Sequence, residues 1–156
     1  MRIRFHKVSS ERHRLEIIRD DGAREEVDCE TRSYLQHDLL HYAVEAEAGL
    51  PTGVWGNLAQ GRTLSDLNDR TGRVTHPQTP DLLVIEQIVG VLSGATKGRT
   101  PEQLVTGIQS YAAALGAPLP AWLTTPFVAA VQERMRQLMG RWKATAFGGA
   151  MELRWP

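Results

Sequence analysis

The chain has 156 residues and a mass of 17.4 kDa, with 42% hydrophobic and 23% charged residues. This is the size and make-up of one globular domain and excludes the disordered, collagen-like and coiled-coil classes. A core at this length buries roughly two thirds of the unfolded surface, so folding requires neither a metal nor a disulfide. Lys plus Arg total 18 and Asp plus Glu total 18. That balance argues against nucleic acid as a partner, because dedicated binders carry a large basic excess, and it lowers self-repulsion in a way that favours a homodimer.

The strand signals come first. Ile3 and Phe5 alternate with Arg2, Arg4 and His6; Leu15 and Ile17 alternate with Arg14 and Glu16; Val27 and Cys29 alternate with Glu26, Asp28 and Glu30. Period two with one polar face predicts half-buried antiparallel strands over about 2–8, 13–19 and 24–30. Ser9-Ser10-Glu11 and Asp20-Asp21-Gly22 supply the turns of a three-stranded meander. Charges of opposite sign on its outer face are placed to pair across strands.

The period then changes. Leu35, Leu39, Tyr42 and Ala46 predict a helix over about 34–48. Ser33 and Gln36 have the spacing of a capping box at its start, and Gly49 followed by Pro51 ends it. Residues 49–80 are rich in glycine and proline, with short helical turns expected around Trp55–Gln60 and Leu64–Asp69. Three further helices open on Thr-Pro steps, at Thr79-Pro80, Thr100-Pro101 and Thr125-Pro126, over about 80–93, 101–115 and 126–143. Proline suits a helix start because the donor it lacks has no partner there. Gly148-Gly149 breaks the chain, and Met151, Leu153 and Trp155 alternate with Glu152 and Arg154 in a last strand over about 150–155. That strand is expected to join the N-terminal sheet. The fold class is therefore α+β: a small antiparallel sheet, made of the N-terminal meander and the C-terminal strand, with about four helices on one face in a single domain over 1–156.

No apolar run has the length of a membrane span. The most apolar stretch, Leu82–Leu92, is interrupted by Glu86 and Gln87 and reads as a buried helix. The basic start Met1–Lys7 has no apolar segment behind it and does not read as a signal peptide. Cys29 is the only cysteine, so no disulfide forms within the chain and a reducing, cytoplasmic setting is expected.

One cluster has the residue types for chemistry. His37, His41 and Glu45 stand at i, i+4 and i+8 on the first helix. At 3.6 residues per turn they share an arc of roughly 80°, with Tyr34 inside it and Asp38 on its edge. The apolar stripe lies on the opposite side, so the histidines are expected to sit off the hydrophobic face. Two histidines one turn apart can bind one divalent transition-metal ion. Glu45 is the candidate third ligand, although two turns away it strains a single centre, and His76 and Glu86 are candidates to complete the set. Asp38 is placed to orient an imidazole. Asp38 follows His37 where zinc-protease helices have Glu, one methylene longer, so a protease is not inferred. Two imidazoles and a carboxylate suit zinc, iron, nickel or copper, and an open position would activate water for hydrolysis. The same residues also fit a metal-free site with His37, His41 or Asp38 in acid–base roles, or histidines that only bond to neighbouring backbone.

The remaining signals are weaker. Cys29 shares parity with Val27, which predicts a buried thiol rather than a nucleophile beside His37. Gly94–Thr100 has the composition of a phosphate loop without the spacing of one. Arg134, Arg136, Arg141 and Lys143 together with Arg2, Arg4, Lys7, Arg12 and Arg14 would converge into an anion-binding patch if the terminal strands pair. Trp55 and Trp122 suit the core, a ligand pocket or a subunit contact. Three classes of function follow: a metal-binding or hydrolytic protein centred on His37 and His41, a non-enzymatic interaction module working as a homodimer, and an anion or nucleic-acid binder using the basic termini.

Overall fold

The computed structural model describes residues 1–67, 80–95, 98–116 and 118–156. Strands β1 (Arg2–Lys7), β2 (Arg12–Ile18), β3 (Arg24–Glu30) and β4 (Ala150–Arg154) form one antiparallel sheet in the order β3-β2-β1-β4. The helices are α1 (Gln36–Ala48), α2 (Val54–Ala59), α3 (Leu64–Leu67), α4 (Pro80–Ala95), α5 (Pro101–Leu115) and α6 (Thr125–Ala144). The α+β architecture and the return of the C-terminal strand beside β1 are as the alternation predicts. Six helices are seen among the described residues rather than about four, because both short turns after Gly53 are helical.

The register explains the alternation. Ile3 faces Ile17 and Leu153, and Phe5 faces Leu15 and Met151, so the apolar residues of three strands stack on one side. All six are buried in the common core with the helices. On the other side Arg4 lies between Glu16 and Glu152, and Arg14 pairs with Asp28 at 2.8 Å. Lys7 has the parity of the buried row. Its ammonium donates to the carbonyls of Trp142 and Thr145 at 3.2 and 2.9 Å, which closes the C-terminal end of α6 where cations are favoured. His13, on the same row, is fully buried with its ring against Phe5 and Trp142.

Helix ends follow the sequence in part. Thr100 and Gln103 form a complete capping box at α5, and Gly116 takes a left-handed conformation after it. The cap of α6 is Thr124, one residue earlier than the Thr125-Pro126 step suggests, and its hydroxyl accepts from the Phe127 N–H. At α1 the capping box is not formed. A π-helical turn over Thr31–Leu35 precedes the helix, which starts at Gln36 rather than 34, and the Ser33 hydroxyl donates to Glu30 instead. The wider turn carries the chain directly from β3 into α1, so no extended capping residue is needed. Gly49 ends α1 in a left-handed conformation, as expected.

The largest departure concerns how deeply α1 lies. It packs against α2, α4 and α6, and every residue from Asp38 to Glu45 is buried. The polar stripe therefore runs from half-exposed His37 into the interior at Asp38, His41 and Glu45. The stripe read from spacing is real, but α2 and α4 cover the side that spacing leaves polar.

Glu16 links three strands on the outer face. It lies 2.9 Å from His6 and within ion-pair reach of Arg4 and Arg24. The His6 hydrogen bond, with help from Arg24 and Arg4 and against the effect of burial, holds its carboxyl below the ordinary value of 4.5. A carboxyl depressed in the folded state stabilises above its unfolded value, and that contribution is lost as pH falls through the folded one. Glu16→Gln is therefore expected to lower stability near neutral pH and to flatten the loss of stability below about pH 4.5, read from urea unfolding at a series of pH values; an acid limb unchanged from wild type would refute the assignment.

Candidate metal centre

His37 and His41 stand one turn apart on α1 with ring centroids 4.6 Å apart. The third group comes from α4. That helix turns Leu82, Ile85, Ile88, Val89 and Leu92 into the core, and Glu86 follows Ile85 at the edge of this face. Its Oε2 lies 3.7 Å from His37 Nε2 and 3.3 Å from His41 Nε2. One ligand atom from each of the three residues falls within 4.8 Å of the others. Four ligands set tetrahedrally at about 2.1 Å from an ion are about 3.4 Å apart. The three groups thus need to move inward by no more than a side-chain adjustment.

Glu45 is also at this site, against the opposite nitrogen of His41 from Glu86. It is fully buried, and its Oε1 lies 3.1 Å from His41 Nδ1, on the far side of the ring from Glu86. The same carboxylate accepts the backbone N–H groups of Val54 and Trp55, both at 2.9 Å. A buried charge is tolerated when donors surround it, and here three converge at the start of α2. With two N–H bonds accepted, Glu45 takes the Nδ1–H of His41 as the third. This leaves Nε2 facing His37 and Glu86, the arrangement in which an outer carboxylate fixes tautomer and ring orientation. His41 Nε2 is buried and has no hydrogen-bond partner among the described residues, since the approach of Glu86 does not meet hydrogen-bond geometry. Asp38 stands beside the other ring, its Oδ1 3.6 Å from His37 Nδ1. His76 lies outside the described residues.

Charge holds the cluster together. The carboxylates of Asp38 and Glu86 outweigh burial and raise His37 to about 9. Burial acts to lower His41, but Glu45 and Glu86 overcome it and the net shift is upward. Burial acts to raise Glu86, but the two histidines outweigh it and bring its carboxyl to about 2. A metal ion bound here would have to replace protons on the rings.

Above the histidines is a cavity of about 20 Å³, room for a single small ion or water. Its apolar walls are Leu15, Val54, Trp55, Leu58, Leu64 and Leu67. Most of that wall belongs to α2 and α3, which are tied down at both ends. Glu45 holds the start of α2. Buried Arg19 holds the far end, donating from Nε to Leu58 O at 2.8 Å and from its guanidinium to Arg62 O, while paired with Glu25. Glu25 in turn accepts the Leu64 N–H at 2.8 Å. Sequence reasoning missed Arg19 and Gly53 as parts of this site, and left Trp55 open between the core, a ligand pocket and a subunit contact. Gly53 faces the Glu45 carboxyl so closely that a Cβ there would stand 2.2 Å from its Cδ. The signal in the sequence is slight: one glycine just before a short helix.

The other candidates lie elsewhere. Cys29 is buried on β3, its thiol bonding to Val27 O, and does not line the cavity. Arg4, Arg14, Arg134 and Arg136 each have an acidic partner, and Arg141 donates to the backbone carbonyl of Glu152, so part of the expected basic patch is neutralised locally. Of the Gly94–Thr100 segment, Thr96 and Lys97 lie outside the described residues, and Thr100 serves as the α5 cap. Trp122 lines a separate groove of about 390 Å³ with Leu50, Val84 and Ile85. Among the described residues, no helix is long and apolar enough to cross a membrane. No family model, curated protein or solved structure matches the chain.

Two variants test the Glu45 arrangement. Glu45→Ala strands a ring N–H and two backbone N–H groups in the interior and is expected to cost about 3 kcal/mol. Gly53→Ala drives a methyl into the same carboxyl and is expected to cost about 1–3 kcal/mol. Chemical denaturation measures both. A Gly53→Ala protein as stable as wild type would show that the loop does not press on Glu45.

Proposed function

We propose that this chain is a metalloprotein that binds one divalent transition-metal ion on His37 Nε2, His41 Nε2 and a Glu86 carboxylate oxygen, and that the ion serves as a Lewis acid for hydrolysis. The observation that carries the reading is His41. One of its nitrogens is bonded to a buried carboxylate, while the other is buried, makes no well-aligned hydrogen bond among the described residues, and faces a second histidine and the Glu86 carboxylate 3.3 Å away. A buried nitrogen that has only a poorly aligned carboxylate beside it is under-satisfied, and a cation bound by both groups satisfies it. Glu86 takes the place that the spacing on α1 suggests for Glu45, since Glu45 is already occupied by three donors.

Three protein ligands leave a tetrahedral ion with one further position. Water in that position becomes acidic enough to supply hydroxide near neutral pH, which is the basis of metal-assisted hydrolysis. The mixed nitrogen and oxygen donor set suits zinc and also accepts iron, nickel or copper.

The test is elemental analysis by mass spectrometry of untagged protein beside His37→Ala/His41→Ala and Glu86→Gln variants. The expected result is close to one metal ion per chain, lost in the double variant and at least tenfold weaker in Glu86→Gln. Metal at about a hundredfold its dissociation constant should also raise wild-type stability by about 2.7 kcal/mol. Wild-type protein that takes up neither zinc nor iron after incubation would end the reading. Uptake without turnover of ester, amide or phosphoester substrates would remove its hydrolytic half.

A further inference from the structure

Trp55 has features that the core alone does not use. It is 1% exposed, held edge-on by Phe5 and Tyr42 at 6.3 and 6.4 Å between centroids. Its indole Nε1–H is buried and has no hydrogen-bond partner among the described residues. A buried indole normally finds an acceptor. Trp55 also lines the small cavity together with His37, His41 and Glu86. Its backbone N–H is bonded to Glu45, the carboxylate that also holds His41. One group thus ties the Trp55 backbone and the His41 imidazole to the same point.

We infer that the Trp55 indole N–H is the donor to the small ligand that completes the coordination of the ion held by His37, His41 and Glu86, and that this position takes only a compact ligand with a free lone pair, namely water, hydroxide or a small anion. The inference rests on the metal reading above. Two observations set the ligand class. The cavity of about 20 Å³ leaves no room for an extended organic group beside an ion. Apart from the Asp38 carboxyl group, its remaining walls are hydrocarbon from Leu15, Val54, Leu58, Leu64 and Leu67, so the indole is the donor that such a ligand would meet. An N–H directed at a metal-bound atom favours its more negative form, because hydrogen bonds to charged acceptors are the stronger ones. Trp55 is in this sense a positioning residue for whatever group the ion activates, and larger substrates would meet that group only after α2 or α3 moves.

The experiment uses the full chain loaded with cobalt(II), whose visible absorption reports its ligands. Uptake is measured first, and protein that takes up no cobalt refutes the metal reading and this inference together. With cobalt bound, azide is expected to change the spectrum with saturation, and acetate at the same concentrations is expected to leave it unchanged. Trp55→Phe should retain wild-type cobalt affinity and bind azide at least tenfold more weakly. Because that variant removes a core indole, a second measurement uses intact zinc-loaded protein. Its indole N–H resonances are followed by NMR and assigned through Phe variants of Trp122, Trp142 and Trp155. The Trp55 resonance should move downfield as azide is added. Azide binding with that resonance unmoved, or with equal affinity in Trp55→Phe, would overturn the role of Trp55 while leaving the metal reading intact. Acetate binding as tightly as azide would overturn the size limit.

Discussion

The Glu45 carboxylate is the constraint on which the centre of this molecule depends. A fully buried charge is expensive to remove from water, and it is stable here because three N–H donors meet it. Those donors come from different places: one from a side chain on α1 and two from the backbone at the start of α2. Satisfying one carboxylate therefore fixes the rotation of the His41 ring, the position of α2 and the close approach of Gly53. Any other residue at 53 would compete for the same space.

The far end of the α2–α3 segment is fixed by a second buried charge. Arg19 accepts nothing and donates to the carbonyls of Leu58 and Arg62, while Glu25 balances it and receives the Leu64 N–H. The segment over the histidines thus hangs between an acid from α1 and a base from the end of β2. Between those anchors it presents hydrocarbon and one indole. A site enclosed by apolar walls and held by charged anchors keeps its polar atoms few and each of them oriented, which is how precise positioning is obtained at little cost in loose polar groups.

Much of this was legible in the sequence, for identifiable reasons. Strand parity is a property of the backbone, so Ile3, Phe5, Leu15, Ile17, Met151 and Leu153 could be assigned to the inner face from alternation alone. Thr100 with Gln103, and Gly49 after Ala48, could be read because caps depend on bonds three or four residues long. The pairing of His37 with His41 could be read for the same reason: one turn of helix decides it. The capping box at Ser33 failed because Glu30 and a π-helical turn offered local alternatives, and short side chains such as serine bond to whichever neighbour is nearest. The partners of the terminal basic residues were not legible for a different reason. Arg4, Arg14 and Arg134 meet acids on other strands or helices, and such pairings depend on register and packing that a count of charges does not contain.

By itself, then, the sequence determined the elements, the inner and outer faces of the sheet and the placement of two imidazoles on one helical stripe. All of these follow from periodicities of two and 3.6 residues. Only the tertiary structure decided that this stripe runs into the interior of the protein, that Glu86 from α4 stands against both imidazoles, and that Glu45 holds His41 from behind while binding the start of α2. The physical reason is separation along the chain. Glu86 is 45 positions from His41 and Trp55 is ten positions from Glu45, distances at which no backbone periodicity carries information and only the packing of a shared core brings side chains together.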